Sequence, residues 1–241
     1  MAEKVKVLIF AGGAGRRMNA RSLPKQFLQV YGKPVIIHTL EHFEYHEMID
    51  EIVIVCLKNW IDELKGMLNR FGIRKVTIIV PGGKTGHKSI WEGLKAMRES
   101  TDDQDIVLIH DAIRPMVSAE IISDNIRVAR EKGNAVTVIP CAEAMLQTDD
   151  GTVSAGSYPR DRLKRTQTPQ AFHIGFICDL HRRALEAGIT NSVASCTLMI
   201  EMGEQVYFSS GSEKNIKLTT VEDIDIFKAL LAAKRSEWLK G

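Results

Sequence analysis

A chain of 241 residues with 32 Lys and Arg against 30 Asp and Glu has a formal net charge of +2, which supplies no global field toward nucleic acid or an anionic membrane, so any cationic site must be local. Its 44 % hydrophobic and 26 % charged content is that of a globular protein, enough for one large domain (1–241) with a small excursion. No apolar stretch approaches the roughly 18 residues of a membrane-spanning helix, and Cys56, Cys141, Cys178 and Cys196 form no C-x-x-C pair, the expected pattern of reduced structural thiols in a cytoplasmic protein.

The first predicted strand, 5–11, runs into A-G-G-A-G-R-R-M, a turn over Ala11, Gly12, Gly13, Ala14 and Gly15 followed at once by Arg16 and Arg17. Lys25 follows in L-P-K-Q-F-L. A loop with so little side-chain bulk lets backbone N–H groups approach a phosphate chain, and the three cations supply charge beside it. A plain structural turn is the alternative, although it would not call for those cations. The Walker pattern is absent, and Met18 stands where a dinucleotide fingerprint needs its third glycine.

Helical spacing predicts a helix over 35–45, a strand over 51–56, and a helix over 60–71 from Ile61, Leu64, Met67, Leu68 and Phe71. After a strand at 75–80 comes P-G-G-K-T-G-H-K-S, in which Gly82 and Gly83 permit close approach of a nucleobase or ribose. Ser89 reads as the cap of a helix over 89–99, and a capped glycine turn is the alternative. The strand 105–110 delivers Asp111, a suitable ligand for a hard divalent cation such as Mg²⁺, unless it only caps a turn with Arg114 as its partner. His110 could serve as a catalytic base, and reads as structural or orienting.

A helix at 119–132 and a strand at 135–139 continue the alternation, which predicts a doubly wound, mostly parallel α/β sheet with ligands at the carboxyl ends of its strands. The pattern breaks over 141–166, where a D-D-G turn is flanked by segments able to pair as a hairpin, a surface flap or an arm reaching a partner subunit. A strand at 168–172 and a helix at 175–187 return to the core; 216–218 predicts a further short strand, and 221–238 a closing helix with Thr220 and Asp223 as its cap. Arg160 and Thr168 offer phosphate or hydroxyl contacts, while Lys217 by itself reads as a solvated edge residue.

In this order A-G-G-A-G-R-R-M, L-P-K-Q-F-L, H-D-A-I-R-P, Q-T-P-Q-A-F and N-I-K-L-T-T resemble the motifs of the polyol-phosphate cytidylyltransferases, over nearly the whole chain. Members of that family act on methylerythritol phosphate in isoprenoid synthesis or on ribitol 5-phosphate in teichoic-acid or capsule synthesis. The resemblance implies a Rossmann-like nucleotidyltransferase fold with a protruding β-arm, a homodimer, CTP and a small polyol phosphate as substrates, and Mg²⁺ as cofactor. It implies that Arg17, Lys25 and Lys217 stabilise the triphosphate and the pentacoordinate phosphorus, and that residues 11–15 form the nucleotide loop. Gly82, Gly83 and Ser89 fall on cytosine and ribose contacts, with Ala112 on the ribose side and Asp111 at the metal. Arg114, Arg160 and Thr168 fall on the acceptor side, Arg160 coming from the partner's arm.

The departures from the family pattern are Gly86 for an arginine, Glu143-Ala144-Met145 for D-T-[IM], and Val193-Ala194-Ser195 for T-D-[DA]. Most of these losses lie on the acceptor side. L-P-K-Q-F, K-N-W-I and Q-T-P-Q-A-F-H-I look more like ribitol-phosphate enzymes than methylerythritol-phosphate ones. A nucleotide-binding homologue with weak turnover is the reading from another class, and the retained Arg17, Lys25 and Lys217 count against it.

Overall fold

A computed structural model of the chain describes residues 3–12, 23–190 and 192–238, with side chains described to 233 in the last helix. In chain order come β1 (Val5–Ala11), the small hairpin β2 (Gln29–Val30) and β3 (Lys33–Pro34), α1 (Val35–Glu44), β4 (Glu51–Cys56), α2 (Ile61–Phe71), β5 (Val76–Pro81) and α3 (Gly86–Arg98). Then follow β6 (Ile106–Asp111), α4 (Ala119–Lys132), β7 (Asn134–Pro140), a second hairpin of β8 (Met145–Gln147) and β9 (Gly156–Tyr158), and β10 (Lys164–His173). The chain continues through α5 (Ile174–Glu186), α6 (Ser195–Glu201), β11 (Phe208–Ser210) and α7 (Val221–Trp238).

Seven strands form one sheet in the order β11-β7-β10-β6-β1-β4-β5. Within it β10 runs antiparallel to both neighbours, and the other pairings are parallel. The doubly wound, mostly parallel α/β sheet expected from the sequence is therefore present. Its central strands read as continuous apolar runs because both faces are covered. Alternate residues sort by face: Val7, Ile9, Ile52 and Ile54 pack with Ile36, Leu40 and Phe43 of α1, Leu64 of α2 and Ile122 of α4. Leu8, Val53, Val55 and Val107 pack on the opposite face with Leu94 of α3, Leu180 of α5 and Leu198 of α6. Gly93 lets α3 lie close on that face, since a Cβ there would collide with Leu8 and Val55.

From β1 the chain proceeds to β4 and β5 on one side, while β6 lies on the other, with Phe10 in register with Asp111. The sheet thus switches direction between β1 and β6, and in open α/β sheets ligands bind outside the carboxyl ends of the strands at such a switch point.

Three local expectations differ from the structure. Helix α3 begins at Gly86 with Thr85 as N-cap, its hydroxyl accepting the Lys88 N–H at 3.2 Å, so Ser89 lies inside the first turn. Residues 216–218 form no strand; the sheet edge is taken by β11, which pairs with β7. Helix α6 was not foreseen, because Ala194 at its start carries no capping side chain; the hydroxyl of Thr197 reaches back to the Ala194 N–H at 2.9 Å instead. The cap foreseen for α7 is there, with Asp223 accepting the Thr220 N–H at 2.7 Å and Thr220 Oγ1 accepting the Asp223 N–H at 3.4 Å.

His87 of α3 and His181 of α5 are both buried and meet edge to face, with ring centroids 4.8 Å apart and no hydrogen-bond partner on any of their four nitrogens among the described residues. Burial, reinforced by His87, pushes the His181 imidazolium down to about 3; burial also lowers His87, against the opposing pull of Glu201. Unfolded imidazoles titrate near pH 6.5, so below that pH the unfolded chain takes up protons that folded His181 refuses. Stability therefore falls as pH drops from about 6.5 toward 3, by about 2 kcal/mol at pH 5 for one such group. The expected result is a thermal midpoint that declines between about pH 7 and pH 5, with a shallower decline in His181→Phe. Parallel curves for the two proteins would remove His181 as a source of the acid sensitivity.

Candidate active site

The end of β6 places Asp111 at this switch point, almost fully buried. Its Oδ1 accepts from Lys217 Nζ at 3.0 Å and its Oδ2 from Arg114 Nε at 3.2 Å. Burial works against the carboxylate, but Lys217 and Arg114 outweigh it and hold the group below its ordinary range, so it is ionised. Arg114 also donates to the Asn215 carbonyl at 2.7 Å. Its guanidinium, placed on the acceptor side by family resemblance, is thus engaged within the protein.

His110 is fully buried, and that burial pushes it down to about 3, so the ring is neutral. Its Nε2 faces the Arg114 carbonyl at 3.3 Å and must carry the proton, since a carbonyl only accepts. Nδ1 is left bare and accepts from the Thr168 hydroxyl at 3.1 Å, while the same hydroxyl accepts the Asp111 N–H at 3.1 Å. His110 therefore orients Thr168 against Asp111. A neutral imidazole saturated in this way is not poised as a general base.

Two loops converge beside this cluster. A Cβ on Gly12 would lie 3.2 Å from Ser89 Oγ and 3.0 Å from the Phe10 ring, and one on Gly82 would lie 3.1 Å from the same Ser89 Oγ. The ends of β1 and β5 thus meet at Ser89 with little room for a side chain at either glycine, which leaves the backbone as the surface a ligand meets. A Cβ on Gly83 would stand 2.7 Å from Lys88 Cβ, so this loop also closes tightly on the helix. Ser89 Oγ donates to the Thr85 carbonyl at 2.8 Å, and the positive end of the α3 dipole faces the loop.

Ala11 is buried, and its carbonyl accepts from Gln26 Nε2 at 2.7 Å, tying the Lys25–Phe27 turn to β1. Lys25 is also buried and donates to the Thr219 carbonyl at 2.6 Å, which joins the same turn to the segment carrying Lys217. Ala112 gives its N–H to the Phe10 carbonyl at 3.0 Å and takes Thr39 Oγ1 at 2.8 Å on its own carbonyl. It closes the turn after β6.

The structure thus brings Lys25, Lys217, Asp111, Arg114, Thr168 and Ala112 together at the switch point, with Gly12, Gly82 and Ser89 grouped alongside. Arg160 is not in that network: it is exposed and donates to the Ala142 carbonyl at 2.7 Å at the base of the second hairpin. Gly13, Ala14, Gly15 and Arg17 lie outside the described residues. Two residues that carry the architecture had no role in the sequence reading, Gln26 and Asn215; their only signal was lying inside the L-P-K-Q-F-L and N-I-K-L-T-T motifs. As for a metal, no group of three His, Cys, Asp or Glu is placed to hold one among the described residues. Asp111 offers a single hard carboxylate, which suits Mg²⁺ where substrate phosphates supply the other ligands.

The model of the family described as IspD, 2-C-methyl-D-erythritol 4-phosphate cytidylyltransferase, matches residues 5–233. The chain is similar to a ribitol-5-phosphate cytidylyltransferase of Vibrio parahaemolyticus serotype O3:K6, 43 % identical over 224 residues, covering 93 % of this chain and 94 % of the relative. It is similar to a 2-C-methyl-D-erythritol 4-phosphate cytidylyltransferase of Clostridium botulinum (strain Loch Maree), 39 % identical over 230 residues, covering 95 % and 97 %. Among solved structures it resembles the 4-diphosphocytidyl-2C-methyl-D-erythritol synthase of Anaerococcus prevotii, with a TM-score of 0.81, 29 % identity and 95 % and 96 % of the two chains covered.

Proposed function

We propose that this chain, which belongs to the 2-C-methyl-D-erythritol 4-phosphate cytidylyltransferase (IspD) family, transfers CMP from CTP to ribitol 5-phosphate, releasing pyrophosphate and forming CDP-ribitol for cell-surface polymer synthesis. That it is a cytidylyltransferase acting on a polyol phosphate follows from the family and its relatives. The choice of ribitol is supported by the 43 % identity to the ribitol enzyme and by the L-P-K-Q-F and Q-T-P-Q-A-F-H-I segments. Methylerythritol phosphate is the second reading, favoured by the family model and the 39 % identical relative.

The observation that carries the mechanism is the cationic cluster at the switch point, where Lys217 rests 3.0 Å from Asp111 and Lys25 is tied to the same segment. A phosphate oxygen of the acceptor attacks the α-phosphorus of CTP in line, and the bond to pyrophosphate breaks opposite it. The acceptor phosphate is already ionised, so positioning and charge stabilisation dominate. Lys25 and Lys217, with Arg17, neutralise charge growing on the α-phosphate and the departing pyrophosphate. The glycine loops and the α3 N-terminus receive the nucleotide, and Gly82 to Ser89 present backbone to the pyrimidine. Asp111 would hold Mg²⁺, which supplies charge neutralisation across the triphosphate when bound. The second hairpin serves as a dimer arm that brings Arg160 to the partner's acceptor site. We place the enzyme in the cytoplasm, in keeping with four free, buried cysteines.

The test is pyrophosphate release with CTP, UTP, ATP and GTP, each paired with ribitol 5-phosphate and with 2-C-methyl-D-erythritol 4-phosphate. The expected result is strong preference for CTP and for ribitol 5-phosphate. Equal turnover with UTP would end the cytosine-reading role of the Gly82–Ser89 segment, and preference for the methylerythritol acceptor would replace the ribitol reading.

Metal dependence is checked in the same assay. Activity is expected to vanish in excess EDTA and return with Mg²⁺, and Asp111→Asn is expected to raise the Mg²⁺ concentration needed for half-maximal rate. Full activity in EDTA overturns the metal role.

A further inference from the structure

We infer that Asn215 is the positioning residue for Lys217, fixing the lysine's segment against β6 and β10 through a closed ring of hydrogen bonds; the inference rests on the reading of Lys217 as a charge-stabilising group. Lys217 lies in a stretch without regular secondary structure, so no sheet ladder or helix holds its backbone in place. Asn215, two residues before it, is fully buried. Its Nδ2 donates to the Thr168 carbonyl at 2.9 Å and to Gln167 Oε1 at 3.1 Å, so its amide hydrogens hold this segment to β10. Its own carbonyl accepts Arg114 Nη1 at 2.7 Å. Arg114 and Lys217 then meet on the two oxygens of Asp111, which closes a ring running Asp111, Arg114, Asn215, Ile216, Lys217 and back to Asp111.

The direction of the Asn215 amide is set from outside the ring. Gln167 donates its Nε2 to the Ser212 carbonyl at 2.8 Å, and its Oε1 takes the Ser212 N–H at 3.3 Å. Oε1 is therefore the atom turned toward Asn215, and only a donor satisfies it. Two acceptor oxygens facing position 215 call for an amide or another donor; an apolar residue there would take the Asn215 donor from the Thr168 carbonyl and leave Gln167 Oε1 with the Ser212 N–H at 3.3 Å. Asn215 Oδ1 has no partner among the described residues, so the side chain is committed through its nitrogen. A second tether, the Leu218 N–H on the Ile113 carbonyl at 2.9 Å, holds the far side of Lys217 but not the side facing β10.

The experiment pairs Asn215→Ser, which keeps one donor, and Gln167→Met, which keeps Asn215 but removes one of its acceptors, with Lys217→Ala. Each variant is measured alone and combined with Lys217→Ala, by kcat for pyrophosphate release and by Kd for CTP, after thermal unfolding shows which are folded at the assay temperature. Asn215→Ser alone is expected to lower kcat about tenfold or more, Gln167→Met by less, and CTP Kd to stay within about threefold. On the Lys217→Ala background each is expected to change kcat by less than about threefold, because the group they position is gone. If the factors multiply instead, or if the single variants keep wild-type kcat, Asn215 does not act through Lys217. Gln167→Met decides alone should Asn215→Ser not fold. A near-normal kcat for Lys217→Ala itself is a different result, overturning the role of the lysine and, with it, the role of Asn215.

Discussion

Replacing Lys217 by alanine is expected to lower kcat by about 10²-fold or more while thermal stability and CTP affinity change little. Two energies of different size are separated by this variant. In the resting enzyme the Lys217 side chain is 42 % exposed, and its pair with Asp111 is partly solvated. Such a pair contributes about 1 kcal/mol or less to stability, and Asp111 keeps Arg114 when the lysine is gone. In the proposed mechanism the same ammonium faces charge that grows only as the phosphorus becomes five-coordinate. A donor already in place for that charge is worth about 3 to 4 kcal/mol, because no reorganisation is required at the moment of reaction. Lys25→Ala should lose kcat on the same scale, but it should also cost stability, since Lys25 is buried and its ammonium holds the Thr219 carbonyl at 2.6 Å. Steady-state pyrophosphate release measured beside thermal unfolding decides between these outcomes. A Lys217→Ala enzyme with near-normal kcat would remove that lysine from the chemistry.

The central sheet was legible because its strands are buried on both faces, and a run such as V-L-I-F or I-V-I-V admits few other readings. The loops after β1, β5 and β6 were legible for a related reason: glycine or charge directly after an apolar run marks where a buried strand ends. Ser89 was misassigned because Thr85 and Ser89 are hydroxyl residues one helical turn apart. Either side chain suits a cap, and the structure assigns it to Thr85 while Ser89 donates back to the Thr85 carbonyl. The strand read at 216–218 follows from the alternation of Ile216, Lys217 and Leu218, but β11 already occupies the edge beside β7. Leu218 is instead buried with Val30, Val35 and Phe227, away from any ladder. Gln26 and Asn215 escaped notice because their roles exist only across segments distant in sequence: Ala11 for one, Gln167, Thr168 and Arg114 for the other. Asn215 meets Gln167 and Thr168 through its side chain and Arg114 through its backbone carbonyl, and partners so far off in sequence leave no local pattern.

Mixing Arg160→Ala chains with Lys25→Ala chains is expected to restore activity that neither has alone, and the reason lies in the second hairpin. Residues 142–162 are exposed throughout, and Met145, Leu146, Val153 and Tyr158 present apolar side chains to solvent. Among the described residues strands β8 and β9 pair only with each other, which leaves both outer edges open there. A two-stranded hairpin of this kind is marginal by itself in water and leaves edges that natural proteins cover. A second copy of the chain is the occupant we expect, and Arg160 sits at the hairpin base, bonded to the Ala142 carbonyl rather than to its own Asp111 cluster. The chain should therefore be a dimer in solution, and deletion of 145–157 should give monomers that bind CTP but fail to turn over the acceptor. In a mixed dimer one site draws Arg160 from one chain and Lys25 from the other, and so has both. Random exchange of equal amounts puts half the chains' worth of dimers in the mixed form with one working site of two, so about a quarter of wild-type activity should return. Exchange is verified independently with two differently tagged chains. If mixed dimers form and no activity returns, Arg160 serves its own protomer, and the hairpin's role is confined to holding the dimer together.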